Sequence, residues 1–124
     1  MSEKRNVHLF FDDMDNAIHR ILHYTQYMTY DEFLHDLKTQ DAILRNIQVL
    51  GDAATNIPPE ICLLHQDIDW KYIIGMRNLI THRYFDVDMW ILWTTITEDL
   101  FLINTTIEID YRQTRSLNFN RDFL

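Results

Sequence analysis

"FFDDMDNAIHRILHYTQYM", Phe10 to Met28, carries apolar residues at Phe10, Met14, Ala17, Ile21, Tyr24 and Met28. Steps of four and three draw a single stripe along a helix, with polar side chains left on the other side. The spacing predicts a first helix from about Val7 to about Tyr27. The acidic run "DDMD" falls near its positive end, where carboxylates are favoured by up to about 1 kcal/mol. That placement explains the run better than a divalent-ion site, although the same hard oxygens would suit one.

The same alternation returns at Ile43, Ile47, Leu50, Ala54 and Ile57. This second long helix must stop before Pro58 and Pro59, because proline pushes its predecessor out of helical geometry. Gly51 lies inside it at a cost of roughly 1 kcal/mol against alanine, which points to close approach of another backbone rather than to a break. Between the two helices "TYDEF" restarts the chain: Thr29 as N-cap and Glu32 three residues on form a capping-box pattern. "PPEICLLHQDIDW" reads as a loop with one helical turn, and "WKYIIGMRNLITHRY" as a third helix with Ile73, Met76 and Ile80 facing inward. "FDVD" separates it from the last helix, with Asp86 as the expected N-cap. That helix shows one stripe of Met89, Trp93, Ile96, Leu100, Ile103 and Ile107, and a second of Val87, Trp90, Ile91, Thr94 and Phe101. Two apolar faces imply burial on two sides, the second against another subunit.

At about 1.5 Å per residue, the first and last helices would be roughly 30 to 40 Å long. With only two glycines and two prolines in 124 residues, and 47% of them hydrophobic, there is little turn chemistry for a many-stranded fold. The expected fold is all-α: an antiparallel bundle of four long helices plus short connecting helices, in a single domain spanning 1–124 with a loose tail at 115–124.

A net charge of −8, from 19 acids against 11 Lys plus Arg, has the wrong sign for a protein that coats nucleic acid through its phosphates, though a local basic site is compatible with it. Cys62 is the sole cysteine, so neither an intramolecular disulfide nor a cysteine-built zinc site can form. The opening "MSEKRNVHLFFDDMD" loses its apolar character at Asp12, too early for a signal-peptide core, and the longest apolar run, "MWILW", is far short of the ~20 residues that span a bilayer. A cytoplasmic location is expected. His19 and His23 sit four apart on one helix side but lack a third ligand by motif, and His8, His35 and His65 belong to no local metal-ligand motif. Neither metal nor cofactor is expected.

The stretch "RNLITHRY", Arg77 to Tyr84, can be read two ways. On an ideal helix Arg77 and His82 diverge by roughly 140°. Arg77 is then a solvated cation and His82 a C-terminal residue whose protonated ring suits the helix dipole. Alternatively, the chain bends near His82, or a symmetric dimer brings two copies together. Arg77 would then grip a phosphate through its forked donors, Asn78 would orient His82 one turn away, and the imidazole would move a proton. Spacing alone leaves both readings open.

The wider stretch "DIDWKYIIGMRNLITHRYFDVDMWILWTTITEDL", with "FFDDMDNAIHRILHYT", "YDEF" and "VLGDAA" upstream, resembles HepT-like toxins of the HEPN superfamily. The resemblance covers the chain from about Phe10 to about Leu102. In that family an Arg is followed after four to six residues by a His, commonly with a polar residue after the Arg and a Tyr two past the His. Arg77, Asn78, His82 and Tyr84 occupy those positions. Two departures stand out: Asp52 follows Gly51 where relatives often carry Glu, and Arg83 replaces a small residue between His and Tyr.

The resemblance implies a helical bundle that forms a homodimer, with two Arg77/His82 pairs lining one cleft, and metal-independent cleavage of RNA but not DNA. It implies the toxin of a type VII-like HEPN/MNT toxin–antitoxin system, silenced when a nucleotidyltransferase antitoxin AMPylates Tyr84. Arg83 adds a supporting cation. The alternative within the same superfamily is a non-catalytic module that binds nucleotide or presents substrate to a partner nucleotidyltransferase.

Overall fold

The computed structural model describes residues 6–100 together with Ile103 and Ile107, and among these the regular structure is helical. Six α-helices run in order: α1 (Val7–Thr25), α2 (Tyr30–Leu34), α3 (Leu37–Thr55), α4 (Pro59–Leu64), α5 (Trp70–His82) and α6 (Met89–Thr94). A 3₁₀ turn, Tyr84–Asp86, lies between α5 and α6. A π turn, Thr95–Asp99, follows α6, and Leu100, Ile103 and Ile107 are again helical. The all-α expectation therefore holds; the expected tail at 115–124 and Phe101 lie outside the described residues.

Local chemistry accounts for the helix ends. The Asn6 side chain accepts from the His8 N–H at 2.8 Å and opens α1. The helix closes at Thr25, two residues before the position expected from periodicity, because Gln26 is extended and Tyr27 turns into the left-handed region at φ 62°. Thr29 and Glu32 form the reciprocal capping box, with Glu32 N–H donating to Thr29 Oγ1 at 3.1 Å and Thr29 N–H to Glu32 Oε1 at 3.0 Å. Asp36 caps α3 by accepting from Thr39 N–H. The last helical segment is capped not by Asp86 but by Asp88, whose Oδ1 accepts from the N–H groups of Trp90 and Ile91. The 3₁₀ turn occupies Tyr84–Asp86 and delays the helix start, leaving Asp86 to pair with Arg83.

The core joins α1, α3, α5 and the last helical segment. Met14, Ala17, Ile18 and Ile21 of α1, Ile43, Ile47, Leu50 and Ala54 of α3, Ile73 and Ile80 of α5, and Ile96, Leu100 and Ile107 are buried. Helix α3 is central, packing against α1 on one side and α5 on the other. On α1 the covered stripe is centred on Phe11, Met14, Ile18, Ile21 and Thr25; Phe10 and Met28 pack at its margin and Tyr24 is exposed. Phe11 takes the inner position because its ring meets His65 and Trp70 edge-on, with centroids 5.5 and 6.2 Å away. On the last segment the first stripe is covered, whereas Trp90 and Ile91 of the second stripe are exposed.

At the π turn the N–H of Leu100 reaches the carbonyl of Thr95. The Tyr72 hydroxyl from α5 donates to Asp99 Oδ2 at 2.6 Å and lies 2.9 Å from Thr95 Oγ1, so one phenol spans the turn. Among the described residues no helix is long and apolar enough to cross a membrane.

Candidate active site on helix α5

Arg77 owes its position to Gly51. Helix α3 runs through that glycine unbroken, and a Cβ added there would overlap Cβ and Cγ of Arg77 and stand 3.4 Å from its Cα. The missing side chain thus seats α5 directly against α3, the close approach that a glycine inside a well-formed helix implies. The residue after the glycine then faces the arriving arginine: Arg77 Nε–H donates to Asp52 Oδ1 at 2.6 Å. On another edge of the same guanidinium, Nη1 donates to Asn78 Oδ1 at 2.9 Å. The Arg77 side chain remains 30% exposed and that of Asp52 52% exposed, so the cation is held yet reachable.

His82 is the last residue of α5 and is exposed. Arg83 leaves helical geometry at φ −138°, ψ 46°, while its N–H still closes on the Leu79 carbonyl at 2.8 Å. The helix therefore stops two residues short of the expected end at Tyr84, because the chain bends into the 3₁₀ turn here. Within the turn Arg83 pairs with Asp86, Nε donating at 2.7 Å and Nη2 lying 2.6 Å from Oδ2. Tyr84 is half exposed, and Phe85, at 96% exposure, stands edge-on to it with ring centroids 5.9 Å apart.

The structure therefore brings Arg77 and Asn78 into contact and leaves His82, Arg83 and Tyr84 together at the exposed end of the same helix. The described hydrogen bond of Asn78 runs to Arg77, not to His82 as the shared helix face suggests. Asp52 is the site residue that sequence reasoning passed over, noted only as a departure from Glu. Its signal was Gly51, since a glycine that marks a helix crossing also marks its neighbours as contact residues.

The remaining candidates have local explanations. His19 Nδ1 lies 2.9 Å from the Asp15 carbonyl, and His23 pairs with Gln26. The half-buried Cys62 thiol is directed at the Ile57 carbonyl, and burial pushes its pKa up, away from a reactive thiolate. Among the described residues no three His, Cys, Asp or Glu side chains gather closely enough to hold a metal ion.

Comparison with known proteins places this geometry in context. Residues 14–109 match the family model described as "HepT-like: Ribonuclease HepT-like". A Thermococcus cleftensis protein named "Probable ribonuclease HepT" is 37% identical over 78% of this chain and 88% of its own length. A candidate RNase of Methanocaldococcus jannaschii is 33% identical over 75% of this chain and 77% of its own, and another from the same organism is 28% identical over 86% and 97%. No solved structure gives a significant match.

Proposed function

The chain belongs to the HepT-like family, and on that premise we propose that it is a metal-independent endoribonuclease, the toxin of a HEPN/MNT toxin–antitoxin pair. The observation that carries this reading is the presence on α5 of both a held but reachable guanidinium at Arg77 and an exposed imidazole at His82, followed by an accessible Tyr84.

The chemistry follows from those groups. The unprotonated His82 ring takes the proton from a ribose 2′-hydroxyl, and that oxygen bonds to the adjacent phosphorus. Arg77 donates to the phosphoryl oxygens as their charge rises. The bond from phosphorus to the 5′-oxygen breaks, and the leaving oxygen takes up a proton. The products are a 2′,3′-cyclic phosphate and a 5′-hydroxyl, and DNA, lacking the attacking group, is inert. His82 lies five positions beyond Arg77, about 7.5 Å along the helix axis with a different bearing around it. A homodimer answers that divergence by bringing Arg77 of one copy toward His82 of the other, and the exposed Trp90 and Ile91 supply apolar surface for such an association.

Tyr84 is the proposed acceptor for AMP delivered by a nucleotidyltransferase antitoxin. Its phenol oxygen, giving up its proton to solvent, attacks the α-phosphorus of ATP, pyrophosphate leaves, and a phosphodiester of about −1 charge is set near Arg83, in the same proposed site as Arg77. The bulk and charge exclude the RNA backbone from the same cations.

The test is incubation of the purified protein with total RNA, with and without chelator, and mapping of the new ends. Cyclic-phosphate termini formed equally in chelator are expected, with a loss of about 10²- to 10⁴-fold in His82→Ala. Full cleavage by His82→Ala, or cleavage abolished by chelator, refutes the mechanism. Tyr84→Phe should cleave RNA as the parent does while resisting enzymatic silencing, measured as incorporation of labelled AMP.

A second reading is supported by the carboxylates beside both cations: Asp52 on Arg77, Asp86 on Arg83, in a chain of net charge −8. A non-catalytic partner that holds nucleotide for a transferase needs less positive field than an RNA-binding enzyme. Normal growth on expression of the chain alone would favour that module; growth arrest with RNA decay would favour the enzyme.

A further inference from the structure

We propose that Asp52 is the positioning residue of the site: its carboxylate fixes the plane of the Arg77 guanidinium so that the free ends of the fork meet the scissile phosphate. The proposal rests on the ribonuclease reading above and adds a residue from a different helix to it.

Three observations converge. The Gly51 seat pins Cβ of Arg77, so the side chain starts from a fixed point. From there the guanidinium is bonded at Nε to Asp52 and at Nη1 to Asn78, one contact from α3 and one from α5. A guanidinium has five N–H donors, and these contacts use two, leaving one on Nη1 and both on Nη2 for a ligand. A phosphate is gripped through paired donors of such a fork, so a carboxylate that takes Nε instead orients the group without filling its binding end.

The opposite role, a carboxylate that competes with phosphate and restrains the enzyme, would be served by a carboxylate spanning the two terminal nitrogens. Asp52 does not do this; its bond is to Nε. Its half-exposed ion pair also contributes little to folding, so an effect of its removal on catalysis is separable from an effect on stability.

The experiment measures kcat and KM for RNA cleavage, with melting temperature, in the wild type, Asp52→Ala and Asp52→Asn. Freeing the guanidinium in Asp52→Ala should lower kcat by about 10²-fold, the loss typical of a catalytic group displaced by an ångström, with KM and melting temperature close to wild type. Asp52→Asn keeps an oxygen available to the Nε–H and should stay within about tenfold of wild type. The positioning role is overturned if Asp52→Ala turns over at the wild-type rate, if it turns over faster, if its loss tracks a fall in melting temperature, or if Asp52→Asn is as slow as Asp52→Ala. A wild-type protein that leaves RNA intact is a different result: it overturns the ribonuclease reading and this inference with it.

Discussion

Helix α5 is built differently at its middle and at its end. At the middle, Arg77 sits in the gap left by Gly51, flanked along the helix by buried Ile73 and Ile80 and tied to Asp52. At the end, His82, Arg83, Tyr84 and Phe85 stand in solvent on a helix terminus and a single 3₁₀ turn. The contrast matches two requirements of the proposed chemistry. A group that stabilises charge works best when its direction is set in advance. A group that exchanges protons, or that accepts a modification, must stay accessible to partners that come and go. One helix thus carries a closed joint for the cation and an open tip for the imidazole and phenol.

The two glycines of the chain offer the strongest way to break this contrast. Gly51→Ala forces a methyl into Arg77, an overpacking that costs typically 1–3 kcal/mol, of which alanine's better helix propensity offsets up to about 1. We expect a net loss near 2 kcal/mol, a melting temperature lower by roughly 5–10 °C, and slower RNA cleavage because the cation has moved. Gly75→Ala places the same methyl on α5 where nothing lies within 4 Å. That change should raise stability by about 0.5–1 kcal/mol and leave cleavage untouched. If thermal melts and kinetics of the two variants moved together, the joint would not be what places Arg77.

A smaller effect sharpens the picture at the other end of α5, where Tyr72 spans the π turn. Burial of the phenol, and then its bond to Asp99, push its pKa above the usual tyrosine range. The folded state therefore holds that proton more tightly than the unfolded chain does. The stabilisation is complete at neutral pH and is lost as pH climbs past the unfolded value near 10 and through the higher folded one. Ultraviolet titration should show one of the six tyrosines ionising late. Tyr72→Phe should cost about 1 kcal/mol at neutral pH in denaturant melts and flatten the alkaline loss.

Much of this architecture was legible in the residues, and the reasons are physical. Helical stripes at Ile43, Ile47, Leu50 and Ala54 repeat with the helix period because burial is periodic. The Thr29/Glu32 box is a contact between near neighbours, so spacing suffices to see it. Gly51 announced a close approach, but not what approached, since Arg77 lies 26 positions away and only packing brings it there. Asp86 was the expected cap of the last helix; the 3₁₀ turn and Arg83, which sequence periodicity does not register, moved that role to Asp88. The rotation of the α1 stripe toward Phe11 likewise follows from rings contributed by His65 and Trp70. At the site, Arg77, His82 and Tyr84 were singled out by resemblance, and the described hydrogen bond of Asn78 runs to Arg77 rather than to His82, because two residues sharing a helix face need not bond each other.

The carboxylates beside Arg77 and Arg83 have one more consequence for an enzyme acting on RNA. Each guanidinium carries its counterion within the fold, so a docking strand meets little net positive charge to replace its own condensed cations and gains little of the mixing entropy that makes basic proteins adhesive. On the proposed ribonuclease reading, affinity for intact RNA is expected to stay low, with the attraction growing chiefly when negative charge builds on the phosphoryl oxygens. On the same reading, cut fragments should leave readily, so that turnover is expected to follow encounter frequency rather than release.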